Sequence, residues 1–169
     1  MRWSVELGRI AGTAVRVHVT FLLFLAFIGI LVYRANGPEA AWDTLAFIIL
    51  IFICVVAHEF GHVLMARRFG ARTRDVTLFP IGGVANIERI PEKPSQEILV
   101  ALAGPLVNLL IAVVVLIFYG HSLSQQDFNA IGNSETSLAL RIAAANLMLI
   151  TFNLIPAFPM DGGRVLRAL

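Results

Sequence analysis

The sequence contains few charged residues and only one cysteine. Charged side chains make up 14% of its 169 residues, whereas 58% are hydrophobic and the mean hydropathy is +0.82. Soluble domains are about half apolar and about a quarter charged, so this composition excludes an ordinary soluble domain and indicates an integral membrane protein. The single Cys54 excludes an internal disulfide bond and says nothing about the redox compartment.

Three further features are missing. The net charge of +2 is not gathered into a basic patch interleaved with aromatic residues, so nucleic-acid binding is not indicated. No small-residue cleavage site closes the first apolar run, and we therefore interpret it as an uncleaved membrane span rather than a signal peptide. The chain also lacks internal repeats and low-complexity tracts, so we expect residues 1–169 to form a single membrane-embedded unit.

Apolar runs are the main feature of what is present. Four of them predict membrane-crossing helices, at about 19–33, 42–69, 98–119 and 138–155. Arginine and lysine are grouped before the first run, between the second and third, and after the fourth, whereas only Arg34 lies between the first and second and none occurs from 119 to 137. By the positive-inside rule this pattern favours a cytoplasmic N-terminus and four crossings, although Arg141, inside the fourth run, is discordant.

Two segments predict β-structure, and a third predicts the start of another helix. Residues 76–90 are rich in β-branched side chains and contain a Pro-Ile-Gly-Gly turn, which favours a small membrane-associated β-hairpin. Residues 15–19 alternate with period two, as in a short strand leading into the first span. A new helix is expected over 162–169. The predicted fold class is thus mainly α, a polytopic membrane helical bundle with a small hairpin or sheet.

A His-Glu-x-x-His motif lies inside the second apolar run, at His58–His62. Two histidines four residues apart share one helix face, so both imidazoles can reach one ion. Glu59 is placed to accept a proton from a metal-activated water. The alternative is a chance match. Ionisable groups inside a membrane-length helix are costly and usually functional, which favours the metal-site interpretation.

A catalytic zinc site needs a third protein ligand, and a carboxylate is a known partner for two histidines. Asp161 is the acidic residue at the matching depth, in an irregular segment that can point inward. Its alternative role is to cap the helix expected after it. Cys54, one turn before His58, is a second conceivable ligand, although packing in the membrane core is the expected role.

Four motifs together resemble a known family. They are His58–His62 (HEFGH), Leu78–Ala85 (LFPIGGVA), Gly104–Asn108 (GPLVN) and Asn153–Gly163 (NLIPAFPMDGG). In this order they resemble the site-2 proteases, which are intramembrane zinc metalloproteases. Members usually continue with further spans, and many carry paired CBS domains, so this chain resembles a core fragment of the family.

The resemblance implies a ligand set and roles for other polar residues. It implies one Zn²⁺ per chain, held by His58, His62 and Asp161, with Glu59 as the catalytic base. It also implies polar roles near the reacting carbonyl for Asn108 and Asn153. Hydrogen bonding between membrane helices is the alternative role for these two asparagines.

The expected function is hydrolysis of peptide bonds within or next to transmembrane segments of substrate membrane proteins. The expected partners are such a substrate and the lipid bilayer, with no nucleic acid and with self-association left open. The expected location is the plasma membrane of a prokaryote, as a multi-pass protein with its site in the cytoplasmic half. The rival function is a non-proteolytic metal-binding membrane scaffold or transporter, which would have no need of a non-ligating Glu59.

Overall fold

The computed structural model describes residues 3–87, 93–119, 137–157 and 159–168. Most of these residues are helical, and a small sheet lies in the N-terminal half, which confirms the predicted fold class at that level. The elements in chain order are β1 (Ser4–Ile10), β2 (Thr13–His18), α1 (Val19–Arg68), β3 (Thr73–Phe79), β4 (Gly82–Ile87), α2 (Pro94–Tyr119), α3 (Leu138–Asn153) and α4 (Asp161–Ala168).

The helical stretch α1 is broken once and folds back on itself. Gly37 adopts φ 86° and ψ −178°, outside the helical region, and Pro38 follows it. The rings of Phe21 and Phe52 lie 4.3 Å apart, centroid to centroid. A straight helix would separate these residues by about 46 Å, so α1 is a helical hairpin of two segments, 19–36 and 38–68. The break falls between the first two predicted spans, but it is shorter than the predicted gap between them, because only Gly37 leaves the helical conformation.

The other helix boundaries shift by a few residues. Helix α2 begins at Pro94 rather than at 98, because proline suits the first turn, where its missing N–H is not needed. Helix α3 ends at Asn153 rather than at 155, and Phe69 caps α1. Two helical stretches, α1 and α2, are long and apolar enough to cross a membrane, and α3 is a shorter apolar helix.

The sheet has four strands in the order β1-β2-β3-β4. Strands β2 and β3 are parallel, joined by the α1 hairpin, and the other neighbours are antiparallel. The predicted hairpin is confirmed as β3 and β4, although β3 starts earlier, at Thr73, and residues 88–90 lie outside the described part of the chain. Strand β1 was not predicted, and a bulge between Glu6 and Gly8 interrupts its alternation.

The second segment of α1 is packed on two sides. On one side Phe60 and Val63 form a core cluster with Val15 of β2 and Val76 of β3. On the other side Gly61 faces α2 so closely that a Cβ atom there would lie 2.6 Å from the carbonyl oxygen of Ala103. The His58–His62 motif is therefore enclosed between the sheet and α2.

The discordant Arg141 has an acidic partner. Its guanidinium lies 2.6 Å from a carboxylate oxygen of Asp43, on the second segment of α1, and 4.2 Å from the ring centroid of Phe47. The pair joins the start of α3 to α1. An arginine inside an apolar helix is thus neutralised by a carboxylate and an aromatic face.

Candidate metal centre

Three side chains from two separate helices converge in the interior. His58 and His62 lie one turn apart on α1, and Asp161 is the first residue of α4. The two Nε2 atoms are 3.0 Å apart. Oδ2 of Asp161 lies 3.2 Å from Nε2 of His58 and 3.1 Å from that of His62. All three residues are at least 92% buried.

The donor set and its geometry fit a zinc ion. The three atoms form a nearly equilateral triangle with sides of 3.0 to 3.2 Å. In a tetrahedral zinc site with bonds of about 2.0 Å, the ligand atoms are roughly 3.3 Å apart, so only a small expansion is needed. Two imidazoles and one carboxylate also leave the fourth position open, as in catalytic rather than structural zinc sites.

The ring of His62 is held by the backbone of α2. Its Nδ1 lies 2.7 Å from the carbonyl oxygen of Val100, to which the Nδ1–H donates. This hydrogen bond selects the tautomer whose Nε2 lone pair is free for a metal. Gly104 provides the space for both rings, because a Cβ atom there would lie 2.3 Å from Nε2 of His62 and 2.7 Å from Nε2 of His58. Any side chain at position 104 would displace the ligands.

The ring of His58 is held by Asn108, which is fully buried on α2. Nδ2 of Asn108 lies 3.1 Å from Nδ1 of His58, and Oδ1 of Asn108 has no hydrogen-bond partner among the described residues. A histidine that binds metal through Nε2 carries its proton on Nδ1. Rotating the Asn108 amide by half a turn would bring Oδ1 to accept that proton and would satisfy the unpaired oxygen.

Glu59 lies beside the cluster without belonging to it. Its side chain passes over β4 at Gly83, where a Cβ atom would lie 2.8 Å from its Cγ. The carboxylate lines a cavity of about 650 Å³, which also contains the three clustered residues. A carboxylate in the cavity but outside the ligand set is suited to proton transfer.

The cavity brings together elements from both halves of the chain. Asn153, at the end of α3, lines it and donates its Nδ2 to the Leu149 carbonyl oxygen, 2.9 Å away. Arg164, one turn after Asp161 on α4, also lines the cavity. Both asparagines named in the sequence analysis therefore border the same space, Asn108 directly against His58 and Asn153 at the wall.

Three features of the site involve no polar side chain, and the sequence does not predict their roles directly. The Val100 carbonyl acts through the backbone, and the roles of Gly83 and Gly104 are to leave space. The two glycines carry a weak signal in the sequence, since a glycine within a helix or strand often marks a position where another part of the protein approaches the backbone closely. Cys54 is not part of the described cluster, and its sulfur lies 3.4 Å from Nδ2 of the buried Asn146.

Comparison with known proteins identifies the family of the chain. The profile of Peptidase family M50 matches residues 46–139, more than half of the chain. The chain belongs to this family. Among solved structures, the site-2 protease from Methanocaldococcus jannaschii superposes with a TM-score of 0.73 at 39% identity, over 98% of this chain and 71% of that one. The predicted family is thus confirmed.

Curated relatives of this M50 chain are longer. The zinc metalloprotease MJ0392 of Methanocaldococcus jannaschii is 42% identical over 169 residues, which cover 100% of this chain and 46% of that protein. Stage IV sporulation protein FB of Bacillus subtilis is 29% identical over 153 residues, covering 89% of this chain and 46% of that protein. The chain spans about half the length of the curated relatives it matches.

Proposed function

We propose that this chain is the catalytic core of an intramembrane zinc metalloendopeptidase, which hydrolyses peptide bonds within or next to transmembrane segments of membrane proteins. The observation that carries the proposal is the convergence of His58, His62 and Asp161 beside a free carboxylate, in a cavity of about 650 Å³. Family membership supports the chemistry. The apolar lengths of α1 and α2 support the membrane location.

The residues divide the work of peptide hydrolysis. His58, His62 and Asp161 would hold one Zn²⁺, which polarises a carbonyl group and lowers the pKa of water toward about 7. Glu59 accepts the proton of the attacking water and then delivers it to the leaving amine. Val100 and Gly104 hold the imidazoles in the geometry that this requires.

Asn108 and Asn153 have different surroundings, so we propose different roles. Asn108 contacts His58 and supports that ligand. Asn153 borders the cavity and can turn its amide toward a substrate carbonyl, although it now donates to the Leu149 carbonyl oxygen. A donor to the oxyanion typically contributes a hundredfold or more to the rate.

The expected substrate is a transmembrane helix, which must unwind before its carbonyl groups can be attacked. Strand β4 is placed to receive the unwound strand. Among the described strands it has β3 as its single neighbour, and residues 81–85 line the cavity beside Glu59. An extended peptide can add to such an edge through main-chain hydrogen bonds.

The topology that we propose is multi-pass, in the plasma membrane of a prokaryote, with the site in the cytoplasmic half. Strand β2 precedes the α1 hairpin and strand β3 follows it. Because these two strands pair with each other, the hairpin ends at the level at which it began. Arg67 donates to the Ala11 carbonyl oxygen and to the Thr13 hydroxyl in the β1–β2 hairpin. The basic residues before the first segment and after the second thus lie on one side, as a cytoplasmic face requires.

Replacing Glu59 tests the reaction. Glu59→Gln removes the base but leaves the three ligands, so we expect full zinc content and a loss of cleavage of roughly a hundredfold or more. The assay is proteolysis of a membrane protein with one tagged transmembrane segment, reconstituted with the enzyme in liposomes, with and without chelator. Unchanged, chelator-insensitive cleavage would contradict the proposal. Zinc binding with no cleavage by the wild-type protein would favour the scaffold or transporter.

A proline in β4 tests the strand-addition step. The loop between Phe79 and Gly82 has two residues, so these two residues form a hydrogen-bonded pair. Hydrogen-bonded and non-hydrogen-bonded pairs alternate from there, so Val76 and Ala85 form a non-hydrogen-bonded pair and the Ala85 N–H points to the free edge of β4. Ala85→Pro removes this donor, whereas the control Ala85→Ser keeps it. We expect Ala85→Pro to cut turnover severalfold with zinc content unchanged. Equal turnover in the two variants would rule out strand addition at this position.

A further inference from the structure

One face of α2 contacts both histidines of the metal centre and the helix that carries Asp161. Glu97, Val100, Gly104 and Asn108 are spaced by three, four and four residues, so they form a single stripe along the helix. Val100 accepts from His62, Gly104 leaves space for both imidazoles, and Asn108 contacts His58. These three residues hold the two ligands that come from α1. Glu97, at the start of the stripe, contacts neither of them.

Glu97 instead forms an ion pair with Arg167 of α4. The side chain of Glu97 is 12% exposed and that of Arg167 is 48% exposed, so a largely buried carboxylate meets a half-exposed guanidinium. Burying a carboxylate without a cation is costly in free energy, and the Arg167 guanidinium explains why Glu97 can be buried. The proposed peptide hydrolysis uses neither residue.

Helix α4 carries the third proposed ligand, and its described part runs over Asp161–Ala168. Among the described elements, its main contact is with α2. Asp161 stands at one end of α4 and Arg167 lies six residues, or about 9 Å, further along the axis. Fixing Arg167 therefore limits how far Asp161 can tilt or slide relative to the two histidines.

We propose that the Glu97–Arg167 ion pair positions α4 so that the Asp161 carboxylate meets His58 and His62, and that Glu97 and Arg167 are thereby positioning residues for the metal. The proposal rests on the proposed zinc site, but not on proteolysis. The stripe on α2 then aligns all three ligands, two directly and the third through this ion pair.

Zinc affinity measured by chelator competition tests this role without an activity assay. Glu97→Gln and Arg167→Gln each remove one charge and should weaken zinc binding by up to about tenfold, at or below the low end of the roughly tenfold to hundredfold cost of losing a direct partner of a metal ligand, because the pair acts on Asp161 through α4. The charge-reversed double variant, Glu97→Arg with Arg167→Glu, should recover a large part of the affinity. Helix content by circular dichroism should stay at the wild-type level in all three proteins.

The matched control is Arg141→Gln. It breaks an ion pair of the same kind between α3 and α1, away from α4, so we expect wild-type zinc affinity even if thermal stability falls. The proposal is overturned if Glu97→Gln and Arg167→Gln bind zinc as tightly as the wild type, or lose no more affinity than Arg141→Gln. Cleavage by Glu59→Gln is measured in a separate assay. The zinc affinities therefore remain interpretable even if the protease proposal fails.

Discussion

The two segments of α1 are similar in apolar composition but differ in burial. Within the described structure, segment 19–36 has one buried residue, Phe21, whereas segment 38–68 has eight. Large apolar side chains of the first segment, such as Leu23 and Phe27, are more than 60% exposed. The first segment thus has almost no face covered by the protein, whereas the second segment has one covered face and other residues, such as Trp42 and Ile53, that stay exposed.

This difference explains why the buried ionisable residues of α1 all lie in the second segment. A charged or polar side chain facing lipid is costly, but one enclosed by the sheet and α2 can be paired and hydrogen-bonded. His58 and His62 have such partners in Asp161, Asn108 and the Val100 carbonyl. Enclosure, rather than hydropathy, therefore marks the functional half of the hairpin.

The largest expected effect comes from comparing a histidine of each region. His58→Ala removes one of three proposed ligands and should lower zinc affinity by roughly a hundredfold or more. His18→Ala, at the start of the first segment, removes an N-cap that accepts from the Thr20 N–H, which should cost about 1 kcal/mol of stability and no zinc. Zinc content by elemental analysis checks both variants. Equal zinc loss in both would break the distinction between the segments.

A smaller effect is expected from the same substitution in each segment. Gly61→Ala would place Cβ 2.6 Å from the backbone oxygen of Ala103, whereas Gly29→Ala would meet Cδ1 of Leu45, a flexible side-chain end, at 3.2 Å. We expect Gly61→Ala to destabilise by about 1–3 kcal/mol and to impair cleavage. Gly29→Ala should change stability by about 1 kcal/mol or less, because a gain in helix propensity offsets the contact.

Denaturant titration in detergent micelles measures both glycine variants. A Gly61→Ala protein as stable as Gly29→Ala would show that α1 and α2 do not approach as closely as described, and the enclosure argument would fail.

The smallest effect is expected at Cys54, which is buried in the second segment one turn before His58. Cys54→Ala removes a contact with Asn146, whose Nδ2 keeps a second acceptor, the Ile142 carbonyl oxygen, at 2.9 Å. Stability should fall by about 1 kcal/mol or less, with zinc content unchanged. Loss of zinc in this variant would indicate that the Cys54 thiol is a ligand, and the second segment would then supply a third ligand besides its two histidines.

The sequence was sufficient for the parts of the fold that depend on local pattern. Apolar length predicted the helices, Gly37-Pro38 lies in the gap between the first two predicted spans, and β-branched residues around Pro80–Gly83 predicted the β3–β4 hairpin. The His-Glu-x-x-His spacing predicted that His58 and His62 share one face. The structure brings Asp161 to both histidines, as the motif resemblance implied.

Features that depend on distant parts of the chain could not be predicted. The parallel pairing of β2 with β3 spans the whole α1 hairpin, and β1 carries a bulge that hides its alternation. The discordant Arg141 is explained by Asp43, 98 residues earlier. The contact between Glu97 and Arg167 likewise joins residues 70 apart, and no local pattern records such a distance.

X-ray absorption at the zinc K-edge of the purified, zinc-loaded protein tests the central claim most directly. The claim is that two imidazoles of α1 and the carboxylate of α4 hold one metal ion. The expected spectrum shows about four nitrogen or oxygen neighbours near 2.0–2.1 Å, with the multiple scattering of two histidines, and Asp161→Ala should remove an oxygen neighbour. A sulfur neighbour near 2.3 Å, or a spectrum that Asp161→Ala leaves unchanged, would contradict it.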